Sequence, residues 1–262
     1  MIEEVNKVYC DSKYSHITNF KVDGLKIPFD PTWKRIGISV SGGADSALLS
    51  YLLCSIISET NSNIDVHIIS HVRMWKTRPW QRYDSLRVFE WLIANFSNIN
   101  FTRHENFIPP DLEYGNKGPT IVDEYGKLKS GDQIIARSYA EWILHKENLD
   151  AIFAAKSKNP SDTTITKRMP DREVDAVDIN ELIFEINNKL AIHPFIYTEK
   201  DWIVKQYVNN NILNLFNLTR SCEGDFDNLD YTNYIPNQLV PECGECFWCQ
   251  ERNWAKRKNN VK

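Results

Sequence analysis

Arg35-Ile36-Gly37-Ile38-Ser39-Val40 runs directly into Ser41-Gly42-Gly43-Ala44-Asp45-Ser46, and this junction decides the fold. Ile36, Ile38 and Val40 read as a buried β-strand, and Ala44 to Leu53 reads as a helix packed on it. Between them, two glycines supply the backbone angles and close approach that an anion cradle needs. The partial positive charge of the helix start favours that anion. A polyphosphate is the natural guest, and Ser39, Val40, Ser41, Gly42, Gly43, Ala44, Asp45 and Ser46 are the candidate contacts. No Gly-Lys-Ser/Thr follows the glycines, and the Gly-x-Gly-x-x-Gly dinucleotide fingerprint is absent.

Working outward, strands and helices alternate. Asp65–Ser70 reads as a second strand, Tyr83–Phe96 as an amphipathic helix, and Ile99–His104 as a third strand. Pro109–Lys129 reads as a long loop bordering a site, and Asp132–Asn148 as a helix. Ala151–Ala155 and Lys189–Pro194 read as further strands, and the polar segment Lys156–Glu173 reads as irregular. Thr198 with Asp201 suggests a capping box opening a helix to Asn209. Upstream, residues 1–33 read as an extension of short strands, with Asp23-Gly24 as a hairpin turn. The pattern predicts an α/β, Rossmann-like parallel sheet with helices on both faces, in a domain spanning 34–216.

The chain has 262 residues, 42% hydrophobic, with a formal charge of -4. Such a balance disfavours a nucleic-acid partner without excluding it. No stretch approaches a membrane span, and the start carries no targeting pattern, so a cytoplasmic location without membrane contact is expected. Arg73, Lys76, Arg78 and Arg82, beside Trp75 and Trp80, read as a solvated charged loop face.

Four of the six cysteines have a metal-ligand arrangement. Cys243, Cys246 and Cys249 form a CxxCxxC run, and Cys222 lies upstream. Residues separated by two positions place thiolates on one tight turn, and a distant fourth closes a tetrahedron. Four sulfurs leave no open position, so the expected group is a structural Zn2+ in a small C-terminal zinc-binding subdomain spanning 217–262. Iron–sulfur ligation is the other chemistry such a set admits. The tail carries little apolar material, so the metal is expected to fold it, with Phe247 and Trp248 packing on the main domain.

Ser41-Gly42-Gly43-x-Asp45-Ser46 resembles the PP-loop of the ATP pyrophosphatases at every fixed position. That likeness implies an adenine nucleotide alpha hydrolase-like fold holding ATP with Mg2+. Further likeness, from about Lys34 to Arg252, is to the 7-cyano-7-deazaguanine synthase family, QueC. It rests on the loop, on Lys200 in Tyr-Thr-Glu-Lys, on Ser221-Cys222, and on Cys243-Gly-x-Cys246-x-x-Cys249 with Arg252 following. The resemblance implies an ATP-dependent, AMP-forming ligase that adenylates a 7-carboxy-7-deazaguanine-type carboxylate. With ammonia, it would then make the amide and the nitrile. Asp45, Ser46 and Lys200 are the implied catalytic residues, and a homodimer is the implied assembly.

Departures concentrate where the acceptor should sit. Gln81 and Arg82 keep the Gln-Arg of the family's Tyr-Gly-Gln-Arg-His segment after the second strand, but its histidine is replaced by Tyr83. Ser130-Gly131-Asp132-Gln133 stands in place of Pro-Gly-Arg-Asn, with Arg137 one turn on as a substitute guanidinium. The loop from Asp162 to Arg172 keeps only Pro170-Asp171 and Arg172 of the family pattern, and Asp171 could accept from the NH groups of a guanine-like edge. Gln81, Arg82, Arg137, Asp171 and Arg172 are therefore the candidate acceptor contacts. Two other readings stand beside this one: the same adenylation with another acceptor on a protein or nucleic acid, and an ATP-binding scaffold without catalysis.

Overall fold

The computed structural model describes residues 3–5, 17–73, 80–108, 120–122, 128–162, 182–222 and 242–261. In chain order the strands begin with β1 (Glu3–Val5), β2 (Thr18–Val22), β3 (Leu25–Phe29) and β4 (Arg35–Ser39). Then come α1 (Ala44–Glu59), β5 (Asp65–Arg73), α2 (Gln81–Asn95) and β6 (Phe101–Ile108). The short strands β7 (Thr120–Val122) and β8 (Leu128–Ser130) precede α3 (Gly131–Lys146) and β9 (Ala151–Ala154). The rest comprises β10 (Ile183–Ile186), β11 (Lys189–Ile192), α4 (Lys200–Asn209), α5 (Leu213–Leu218) and α6 (Phe247–Lys258).

Six strands form the main sheet in the order β10-β11-β9-β4-β5-β6, parallel throughout except for the antiparallel edge strand β10. The period-2 alternation of strands sorts side chains between the two faces. Ile36, Ile38, Val66, Ile68, Phe153 and Ile192 join the large core beneath α1 and α2, whereas Ile69, Ile152 and Ala191 meet Ile143 and Leu144 of α3 on the other face. The chain builds β4, β5 and β6 in one direction, then returns to lay β9 and β11 on the other side of β4. Strand order thus reverses between β4 and β9, and ligands of open α/β sheets bind at the carboxyl ends of strands at such a reversal.

The hairpin expected at Asp23-Gly24 joins β2 to β3, with positive φ at both turn residues. Four local expectations differ from the structure. The 109–129 segment holds the β7–β8 ladder, because Thr120-Ile121-Val122 is a short β-branched run. Asn187 and Asn188, both at positive φ, make a tight hairpin that adds β10, a strand the alternation left unmarked. Helix α4 has Glu199, not Thr198, as its N-cap, with no side-chain cap hydrogen bond, and Asp201 Oδ1 accepts from the amide of Trp202, so the Thr198–Asp201 capping box does not form. Finally, the cysteine-bearing tail contains α6, whose Phe247, Trp254 and Ala255 belong to the main core. The tail is therefore held to the main core by apolar packing of α6.

Candidate functional site

Chain geometry at the end of β4 follows from one glycine. Gly42 has φ +82°, and a Cβ there would lie 2.4 Å from Asp84 Cβ and 2.7 Å from the backbone of Asp84 and Ser85. Only glycine fits between the loop and the first turn of α2. Gly43 is the N-cap of α1 and supplies no side-chain cap hydrogen bond to the first turn of this helix. Inside the loop, the Ser41 amide donates to Ser46 Oγ at 3.2 Å, the Gly43 amide to Ser41 Oγ at 3.3 Å, and Ser46 Oγ to the Gly43 carbonyl at 3.1 Å. These contacts are longer than the usual amide hydrogen bond, and an oxyanion offers both amides a stronger acceptor. Val40 is fixed by its amide donating to the Ile69 carbonyl at 2.8 Å.

Two distant segments converge on Asp45, and a third reaches it through Lys200. Its Oδ1 accepts from Lys200 Nζ at the start of α4, and its Oδ2 accepts from Ser157 Oγ, just past β9, at 3.0 Å. Lys200 Nζ also lies 3.7 Å from Glu251 Oε2 in α6. Lys200 is 3% exposed and Glu251 is 0% exposed, so this charge cluster sits beneath the loop rather than in solvent. Tyr207, fully buried in α4, donates to the Ala44 carbonyl at 2.6 Å and ties the first turn of α1 to the same layer.

The segment after α5 forms the other wall. The Arg220 amide donates to the Gly42 carbonyl at 2.9 Å, and Ser221 Oγ would lie 3.2 Å from a Cβ on Gly43. Behind the loop, Asp84 pairs with Arg87, and burial pushes its carboxyl up to about 6 against the opposing pull of Arg87, Arg220 and Arg252. Arg252 donates to Thr219 Oγ1 at 2.8 Å and to the Phe216 carbonyl at 3.0 Å, and its guanidinium stacks over the Phe216 ring. A cleft of about 440 Å³ opens there, lined by Phe216, Asn217, Arg220, Glu242, Arg252 and Lys256.

Cys222, Cys243, Cys246 and Cys249 come together, with all four sulfurs within 4.8 Å of one another, and can hold a metal ion. Gly244, at φ +74°, turns the chain inside the first knuckle. Amides point at sulfur: Cys246 N donates to Cys243 Sγ at 3.3 Å, and Cys249 N to Cys246 Sγ at 3.5 Å, which makes Cys246 the N-cap of α6. The Cys222 and Cys246 thiols, and then burial, hold the Cys249 thiol above its ordinary range. A coordinated cation reverses that preference by deprotonating the thiol. Phe247 packs in the main core with Trp248 against it, as the sequence suggests.

The acceptor candidates are not brought together in the same way. Arg82 pairs with Glu105 at 3.3 Å and lies over Phe107, while Arg137 pairs with Glu141 at 2.8 Å on an exposed stretch of α3. Gln81 lies in the first turn of α2, and its Oε1 is buried with no hydrogen-bond partner among the described residues. Asp171 and Arg172 fall outside the described residues, as do Trp75, Lys76 and Arg78. Ser157, Glu251 and Asp84 escaped the sequence reading. No motif spacing marks them, and Ser157 is 112 positions from its partner Asp45.

No protein-family model matches the sequence, and no curated protein matches it. Among solved structures, the chain is similar to the U34-tRNA thiolase NcsA from Methanococcus maripaludis with its [4Fe-4S] cluster, at 13% identity and a TM-score of 0.45. The likeness covers 86% of this chain and 66% of that one, just under two thirds of its length. At that level it assigns neither an activity nor a ligand. No helix among the described residues is long and apolar enough to cross a membrane.

Proposed function

We propose that this chain is an AMP-forming, ATP-dependent enzyme of the PP-loop type that activates a carboxylate by adenylation. One observation carries the reading: Asp45, Lys200 and Ser157 converge on an uncapped helix start at the strand-order reversal. In this reading the amides of Ser41 to Ser46 and the α1 dipole take the pyrophosphate end of Mg2+-bound ATP, in exchange for the long serine contacts. Asp45 serves the cation side, and Lys200 offsets the charge that develops as pyrophosphate leaves. Ser46 orients the loop through the Gly43 carbonyl.

The acceptor is proposed to be a 7-carboxy-7-deazaguanine-type carboxylate. Its oxygen attacks the α-phosphorus and expels pyrophosphate, and ammonia then displaces AMP to give the amide. A second adenylation on the amide oxygen, followed by loss of AMP and a proton, leaves the nitrile. The family resemblance supplies this sequence of steps, and the self-paired Arg82 and Arg137 favour keeping a second acceptor in view, on a protein or nucleic acid. For the cysteines we propose a structural Zn2+. Sulfur separations of 3.9 and 4.0 Å suit the roughly 3.8 Å edge of a tetrahedron with Zn–S near about 2.3 Å.

The test is incubation of purified protein with ATP, Mg2+, ammonium and 7-carboxy-7-deazaguanine, followed by chromatography of nucleotides and products. AMP, pyrophosphate and nitrile are the expected outcome, all lost in Asp45→Ala. AMP without nitrile moves the reading to the second acceptor, and no turnover of ATP in any form leaves only the scaffold.

A further inference from the structure

Lys200 stands between two carboxylates that belong to distant parts of the chain. Its Nζ bonds to Asp45 Oδ1 in the first turn of α1 and lies 3.7 Å from Glu251 Oε2 in α6. A carboxylate as buried as Glu251 is costly unless a cation compensates it. Here one lysine serves two carboxylates, so its allegiance can shift between them. When a cation-bound phosphate draws on Asp45, Lys200 retains Glu251 as a countercharge and is not left as an isolated buried cation. Without Glu251, the only carboxylate within ion-pair distance of Lys200 among the described residues is Asp45. The Lys200–Asp45 pair then competes with the incoming cation.

The position of Glu251 is set from the other side. It follows Cys249 by two residues in a helix whose N-cap is Cys246 and whose Trp254 is anchored in the core. The cysteine cluster at the start of α6 and the core packing of the same helix together set where Glu251 stands, and Glu251 in turn holds Lys200. The geometry points to Glu251 as a positioning residue of the nucleotide site that holds Lys200, keeps Asp45 available to Mg2+-bound ATP, and joins the cysteine cluster to the phosphate loop. This rests on the adenylation reading and assigns a role to a residue that reading leaves unused.

Glu251→Gln in the full chain tests it, because the amide keeps the shape and removes the charge. ATP binding is titrated calorimetrically at several Mg2+ concentrations, together with metal content and the thermal midpoint. Expected are unchanged metal content and an ATP dissociation constant raised about tenfold at limiting Mg2+, recovering as Mg2+ rises. A residue with only a structural role lowers the midpoint and leaves this Mg2+ dependence unmoved. In a Lys200→Met background the Glu251→Gln change is expected to add nothing, since the effect runs through Lys200. Wild-type-like ATP affinity in Glu251→Gln overturns the proposal, and so does a full effect in the Lys200→Met background. If Glu251→Gln does not fold, Glu251→Asp replaces it: a smaller weakening supports the role, and none overturns it. Failure of the unmodified protein to bind ATP overturns the adenylation reading and this one together, so the two failures are distinguishable.

Discussion

Gly42 and Gly43 sit side by side in sequence but do different physical work. Alanine at Gly42 would meet backbone atoms of α2 at 2.7 Å while being forced to positive φ, and backbone cannot rotate away as a side chain can. Gly42→Ala is therefore expected to cost roughly 2–4 kcal/mol in chemical denaturation and to abolish ATP binding. Gly43→Ala meets mainly the Ser221 hydroxyl at 3.2 Å and is expected to cost less, with the loss confined to binding. The loop was legible in the sequence because its geometry is local: strand, two glycines and helix start are consecutive. Its charge partners were not, since Lys200 is 155 positions from Asp45 and was marked only by resemblance.

At the scale of elements, α6 shows how cysteine spacing and helix packing divide one task. The CxxCxxC run and Cys222 marked thiols that the fold does bring together, yet the same tail was expected to carry little apolar material, because charged residues dilute the apolar stripe formed by Phe247, Trp254 and Ala255. In Cys246→Ser, serine remains a competent N-cap for α6 but no longer offers a thiolate. Metal content by mass spectrometry is expected to fall to background and stability by roughly 2–4 kcal/mol. Circular dichroism is expected to retain most of the helix signal, because the apolar face of α6 stays in the core. Unchanged metal content would show that three thiolates suffice.

At the scale of the molecule, four histidines among the described residues are held below their ordinary range, chiefly by burial. His71 is lowered to about 4 and His193 to about 3, while His67 and His104 are lowered together as a stacked, hydrogen-bonded pair. His71 and His193 stay neutral in the fold while taking up a proton when unfolded below about pH 6.5, and His67 and His104 act in the same direction, so stability is present above that pH and is lost as pH falls. His71 and His193 should each contribute a slope of about 1.4 kcal/mol per pH unit on the acid side. Asp84, raised to about 6, contributes in the opposite sense between pH 6 and 4 and offsets part of the loss. Denaturation midpoints measured from pH 7 to pH 4 should therefore fall, and a flat profile would contradict this placement of the histidines. By itself the sequence determined the α/β alternation, the glycine loop between β4 and α1, and the CxxCxxC spacing, because each is written in neighbouring residues whose local geometry follows from residue type. Tertiary structure alone decided that Ser157, Lys200 and Glu251 meet beneath that loop and that α6 belongs to the core. Contacts between residues so far apart depend on strand order and helix docking, which leave no periodic trace along the chain.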